Sequence, residues 1–291
     1  MEIVQVLAYG LLLGGVYALL ASGVTLIFGV LDVVNVAQGA FLVFAALFTW
    51  QIWDLFGIEP LLLIPVAGAM MFGLGWVIYR GMVMRVAPQG PGMTVLLMFG
   101  VALTLEGILN LVFGNKFKSV TPPYFTSSFT IGDLVLPMPQ LISGIIGMTV
   151  LGLMYVYLRV SWAGRALRAS AQNPDGAALV GISSVKTSAF AFGIGAATAG
   201  VGGVLLAIMY PIYPATQYDW IARLLGIVVL GGFGSIPGAV IGSLILGMTE
   251  AFANTYLPQW SSLFFYGTIL LILLFRPQGL MGTRTREDVA A

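Results

Sequence analysis

The chain has 291 residues, 59% hydrophobic and only 8% charged, with a formal net charge of +1 and a mean hydropathy of +1.01. So few polar groups cannot solvate a globule of this size, which excludes a soluble domain and leaves a polytopic membrane protein. Cysteine and histidine are both absent, which removes disulfides, thiolate metal sites, imidazole proton relays and Ser–His triads from consideration.

Uncharged runs long enough to cross a hydrocarbon core of roughly 30 Å recur at 3–31, 33–53, 60–79, 86–105, 134–158, 187–218, 224–249 and 251–275. With 38 glycines and no alternating-strand pattern, the runs read as closely packed helices rather than barrel strands. The fold class is therefore an all-α bundle of about eight or nine transmembrane helices, forming a single transmembrane domain over 1–291. The N-terminal MEIVQ has no basic n-region, so the first run reads as a retained span. Residues 29–40, GVLDVVNVAQGA, interrupt the first two runs. Residues 231–238, GGFGSIPG, split the seventh into a short helix near 219–230 and a longer one near 237–256. Such interruptions are either tight turns at the membrane surface or broken helices beside a substrate route.

Lysine and arginine counts orient the chain. Arg80, Arg85, Arg159, Arg165, Arg168, Lys186, Arg276, Arg284 and Arg286 fall on one side, taken as the cytosol, and Arg223 near a span end adds little. Lys116 and Lys118 fall opposite, in the external segment 114–137, whose Pro, Ser, Thr and aromatic content predicts an irregular loop. The N-terminus then lies outside and the C-terminus in the cytosol, with TRTREDVAA as a short solvated tail.

No GxxxxGK[ST] loop, HExxH or GxSxG elbow is present, so no catalytic residue and no metal site is assigned. Within the spans Glu106 and Glu250 stand out, each followed one helical turn later by an asparagine, Asn110 and Asn254. Each pair either lines a polar route or serves interhelical hydrogen bonding. Two carboxylates without histidine or buried lysine make a poor proton-coupling chain, which weighs against an ion-driven carrier. Small-xxx-small spacings such as Gly10/Gly14, Gly195/Ala199 and Gly238/Gly242 read as packing.

The hydrophilic segment 159–186 is the one long positive stretch between apolar runs. Gly164, Arg165, Ala166, Arg168 and Ala169 lie in a stretch of good helix formers. Asn173 then caps a second short helix with Pro174 at its first position, passing through Ala177 and Leu179 and stopping at Gly181. Two short helices with small side chains suit a docking surface, the arginines standing at its rim; the plainer reading is a generic amphipathic loop.

The chain resembles, nearly end to end, the shorter type of branched-chain amino acid ABC transporter permease. The matching pieces are GVYALLASGVTLIFGVLDVVNVAQGAF at 15–41, GRALRASAQNPDGAALVGI at 164–182, FGIGAATAGVGGVLLA at 192–207, LGGFGSIPGAVIGSLILGMTEA at 230–251 and FRPQGLMG at 275–282. The resemblance implies a transport subunit of the bacterial or archaeal cytoplasmic membrane and not an enzyme. It would pair with a second related permease, two cytosolic ATPases that use ATP and Mg, and an external binding protein. Besides these and membrane lipid no other partner is expected, nucleic acid included, and the chain itself binds no cofactor. Residues 159–186 look like the cytosolic loop that couples to an ATPase, and Asn35, Gln38 and Gly39 join Glu106, Asn110, Glu250 and Asn254 as candidates for the translocation path. One departure is that members read Asn-x-Ala-His-Gly-Glu where this chain has Asn35-Val36-Ala37-Gln38-Gly39-Ala40. If that segment lines the route, the cargo differs from leucine, isoleucine or valine; the same architecture serves urea, short amides and other amino acids. From a different class, a secondary carrier or passive channel would share the hydropathy but not the ordered motifs.

Overall fold

A computed structural model describes residues 2–132 and 134–282, so the whole tail 283–291, with Arg284 and Arg286, lies outside the described residues. Helix α1 (Glu2–Leu31) is apolar throughout and almost wholly enclosed. It stops at Asp32, which holds φ +53, the one non-glycine residue with positive φ among those described; a short polar side chain tolerates that conformation better than a branched one. Residues 32–37 run without helix before α2 (Gln38–Phe56), which ends on Gly57 at φ +63. Helix α3 (Ile64–Ile78) continues through a π-turn at Tyr79–Val83 into the short α4 (Met84–Val86), and α5 (Pro91–Phe113) follows.

The external segment is more ordered than its composition predicts. Strands β1 (Ser128–Ile131) and β2 (Leu134–Pro137) form a hairpin in the register Ser128↔Pro137 to Ile131↔Leu134. Lys118 exchanges two 2.8 Å backbone hydrogen bonds with Ile212 and sets its ammonium 4.1 Å from the Trp50 ring centroid. Tyr124 donates a 2.6 Å hydrogen bond to Glu59, and burial together with that carboxylate holds its phenol well above the usual tyrosine range.

Helix α6 (Met138–Val160) is followed by the short α7 (Trp162–Gln172) and α8 (Pro174–Leu179), then by the long, enclosed α9 (Ser184–Met209). Helix α9 ends well before the apolar run 187–218 does. Residues 210–216, carrying Pro211 and Pro214, are non-helical apart from one 3-10 turn before α10 (Gln217–Gly231). The second expected interruption is confined to 232–235, where Gly232 and Gly234 take φ +97 and +76; α11 (Ile236–Tyr256) and α12 (Ser261–Phe275) complete the bundle.

Among the described residues eight helices are long and apolar enough to cross a membrane, α12 being one of them together with the 3-10 turn at Pro258–Trp260, while α10, of 15 residues, is not. Helices α1, α9 and α11 form the centre. In lipid, apolar burial alone does not hold helices together, so close backbone approach must. A Cβ at Gly247 of α11 would lie 2.6 Å from Gly14 Cα on α1, and one at Gly195 of α9 would lie 2.8 Å from the Gly23 carbonyl. The two chain breaks also meet, with Gly29 against Gly234 and the Phe28 and Phe233 rings 4.6 Å apart.

Candidate functional site

The N-terminal ends of α2 and α10 converge inside the bundle. Asn35 accepts from the Ala37 N–H at 3.1 Å and donates to Gln38 at 2.9 Å; Gln38 donates to the carbonyl of Gly195 at 2.8 Å, halfway along α9. Both side chains are fully enclosed. Buried amides stay only where their hydrogen bonds are made, so this ring pins the start of α2 to α9. Gly39 lies against the start of α10, where a Cβ would come 2.5 Å from the Gln217 carbonyl.

On the other side of that junction, Glu106 of α5 accepts from Gln217 at 2.7 Å and from the Tyr218 hydroxyl at 2.5 Å. Tyr218 and Asp219 point outward from α10 and are exposed, while Glu106 is half-buried. Asn110, one turn beyond Glu106, takes no hydrogen bond among the described residues.

A second carboxylate is treated differently. Glu250 of α11 is buried; it accepts from the hydroxyl of Tyr17, at the middle of α1, at 2.6 Å and pairs with the guanidinium of Arg223 on α10. Arg223 also donates to Tyr17 at 3.0 Å and lies over the Trp220 and Phe265 rings, 5.8 and 5.4 Å from their centroids. Arg223 is thus no span-end residue but the partner of an intramembrane carboxylate. Asn254, on the same helix face as Glu250, does not join this cluster and instead borders an outer groove with Gln5 and Tyr9. The residues that sequence reasoning missed are Tyr17, Gln217, Tyr218, Asp219 and Arg223. The usable signals were the two prolines at 211 and 214 and an isolated arginine in an apolar helix.

The connecting helices α7 and α8 have the punctuation that the sequence predicts. The Ser161 hydroxyl accepts from Gly164 N at 3.0 Å, Asn173 accepts from Gly176 N at 2.9 Å, and Gly181 turns away at φ +84. The arginines are exposed, with their guanidiniums turned back onto the chain. Arg165 donates to the Val160 carbonyl at 3.2 Å, and Arg168 donates to the carbonyls of Leu158 and Arg159. They cap the open C-terminus of α6, where cations also offset the helix dipole. Gly164 is structural: a Cβ there would fall 1.7 Å from the Leu158 carbonyl. Ala166 and Ala177 are buried and Ala169 half-buried, while Leu179 and Val180 at the tip are 90% and 76% exposed.

Residues 6–274 match the family described as the branched-chain amino acid transport system permease component. The chain belongs to this permease family. It is 30% identical to the high-affinity branched-chain amino acid transport system permease protein LivH of Escherichia coli strain K12, over 96% of each chain. It is 29% identical to BraD of Pseudomonas aeruginosa, a permease protein of the same description, over 98% of this chain and 97% of the relative. A shorter match, 30% identical over 40% of this chain and 28% of the relative, is to the permease protein LivM of Escherichia coli strain K12. No solved structure matches the chain. As a member of the permease family, the chain is a multi-pass membrane transport protein.

Proposed function

We propose that this permease is one membrane subunit of an ATP-driven importer for branched-chain or related amino acids. Its energy would come from separate ATPases and its cargo from an external binding protein. The observation that carries the reading is the end-to-end match to LivH and BraD in a chain with no nucleotide loop of its own. The LivM match supports pairing with a second permease. Counting α10 as a shorter ninth crossing beside the eight long ones puts the termini on opposite sides, and the arginine-rich ends place α7 and α8 in the cytosol.

In this reading Leu179 and Val180 are the contact with the ATPase, since apolar side chains this exposed outside a span call for a partner. Gly164, Arg165, Arg168, Asn173, Pro174 and Gly181 shape the two helices that carry them, with Ala166 and Ala177 packed beneath. The route runs along the outward face of Glu106, Tyr218 and Asp219, because carboxylates at such positions are costly against acyl chains and need protein or water opposite. Asn35, Gln38 and Gly39 hold the end of α2 behind that face. The exchange of His for Gln38 therefore bears on packing before it bears on cargo, which favours amino acids over urea or amides.

The test is uptake by proteoliposomes holding the chain with a second permease, two ATPases and the binding protein. Labelled leucine should enter only with ATP; entry through the chain alone, without ATPases, would refute the importer reading. Leu179→Asp should abolish coupling while leaving the fold intact, and unchanged uptake would remove the docking assignment. Asp219→Asn should slow uptake without loss of assembly, and a wild-type rate would take that residue out of the route.

A further inference from the structure

An open-sided cavity of about 760 Å3 lies where α1, α6, α7 and the turn into α11 come together. Its walls are largely apolar, supplied by Leu26, Val30, Leu158, Leu167 and Ile236. Thr25 also lines it; that residue is fully enclosed and its hydroxyl has no hydrogen-bond partner. Tyr155 and Arg159 border the cavity one turn apart on α6, and both are exposed. Arg168 borders it as well, but its guanidinium is committed to the Leu158 and Arg159 carbonyls. Among the described residues no aspartate or glutamate lines the space.

An apolar trough that ends in an uncommitted arginine, with no acid nearby, is complementary to an anionic amphiphile. We propose that the cavity binds an anionic phospholipid. Its phosphate sits on the Arg159 guanidinium and the Tyr155 hydroxyl, charge-assisted contacts of the strong kind. The first part of an acyl chain lies along Leu26, Val30 and Leu158. The same lipid touches Gly164 and Leu167 of α7 and Gly234–Pro237 before α11, so it props the first connecting helix against both chain breaks.

The experiment is native mass spectrometry of the full chain released from mixed micelles holding equal amounts of phosphatidylglycerol and phosphatidylcholine. The wild type should retain phosphatidylglycerol preferentially. Arg159→Gln should lower that retention about fivefold, the factor expected for one arginine facing an anionic headgroup, and Arg159→Lys should restore most of it. Arg85→Gln, which removes an exposed arginine far from the cavity in sequence, should change nothing. Equal retention of the two lipids, no change in Arg159→Gln, or an equal loss in Arg85→Gln would overturn the assignment. Displacement of the bound species by inorganic phosphate would overturn it too, since the cavity would then recognise the anion and not the lipid.

Discussion

Glu106 and Glu250 occupy the same local frame, a carboxylate in an apolar helix with asparagine one turn later. Their surroundings differ. Glu250 is enclosed and meets a cation and a phenol, Arg223 and Tyr17. Glu106 meets only neutral donors, Gln217 and Tyr218, and stays half-buried. Both contacts reach α10, at opposite sides of its first two turns. A carboxylate held by a buried counter-charge acts as a fixed clamp between helices. One held by an exposed tyrosine keeps part of its surface for whatever lies outside the helix. The same motif thus serves two purposes, and the difference comes from which helix the tertiary fold brings opposite.

The sharpest way to break this contrast is to remove each carboxylate in turn and follow unfolding in mixed micelles. Glu250→Ala leaves Arg223, 26% exposed, without its partner, which should cost about 2–3 kcal/mol. Combining it with Arg223→Met should recover most of that loss, because an apolar replacement removes the unpaired charge as well as the pair. Glu106→Ala should cost about 1 kcal/mol, the scale of hydrogen bonds between membrane helices. Equal losses for the two single substitutions would mean that the carboxylates play one role, not two.

How far the sequence anticipates this arrangement depends on the range of each interaction. The caps of α7 and α8 involve partners three residues apart, Ser161 with Gly164 and Asn173 with Gly176, and such local chemistry can be read directly. The short helix expected near 219–230 anticipates α10 closely, but the end of α9 was hidden inside the uncharged run 187–218, since hydropathy does not distinguish α9 from the largely non-helical 210–216 that follows it. Only Pro211 and Pro214 marked the change. The Tyr17–Glu250 contact spans 233 residues and the Arg223–Tyr17 contact 206, and nothing in a single sequence indicates which polar residues in separate helices will meet. Arg165 and Arg168 illustrate the same limit: both are exposed as their charge predicts, while no local pattern announces that carbonyls of the α6 terminus occupy their guanidiniums.

The two tyrosines test the contrast more finely. Tyr17→Phe removes a buried donor to Glu250 and an acceptor from Arg223, and should cost about 1–2 kcal/mol. Tyr218→Phe removes one donor to Glu106 from an exposed side chain, while Gln217 remains in place, so about 0.6 kcal/mol is expected. The smaller effect is the more informative one. If Glu106 belongs to a fixed clamp, losing the Tyr218 hydroxyl should do nothing beyond that slight destabilisation, and uptake at saturating substrate should match the wild type. If Glu106 faces the route, leaving its Oε2 with Gln217 as sole donor raises the unsatisfied negative charge on that face, and uptake should change in KM while the unfolding midpoint scarcely moves. A Tyr218→Phe permease with wild-type uptake across the substrate range would place Glu106 with Glu250 as a structural residue, and the contrast between the two carboxylates would reduce to a difference in burial.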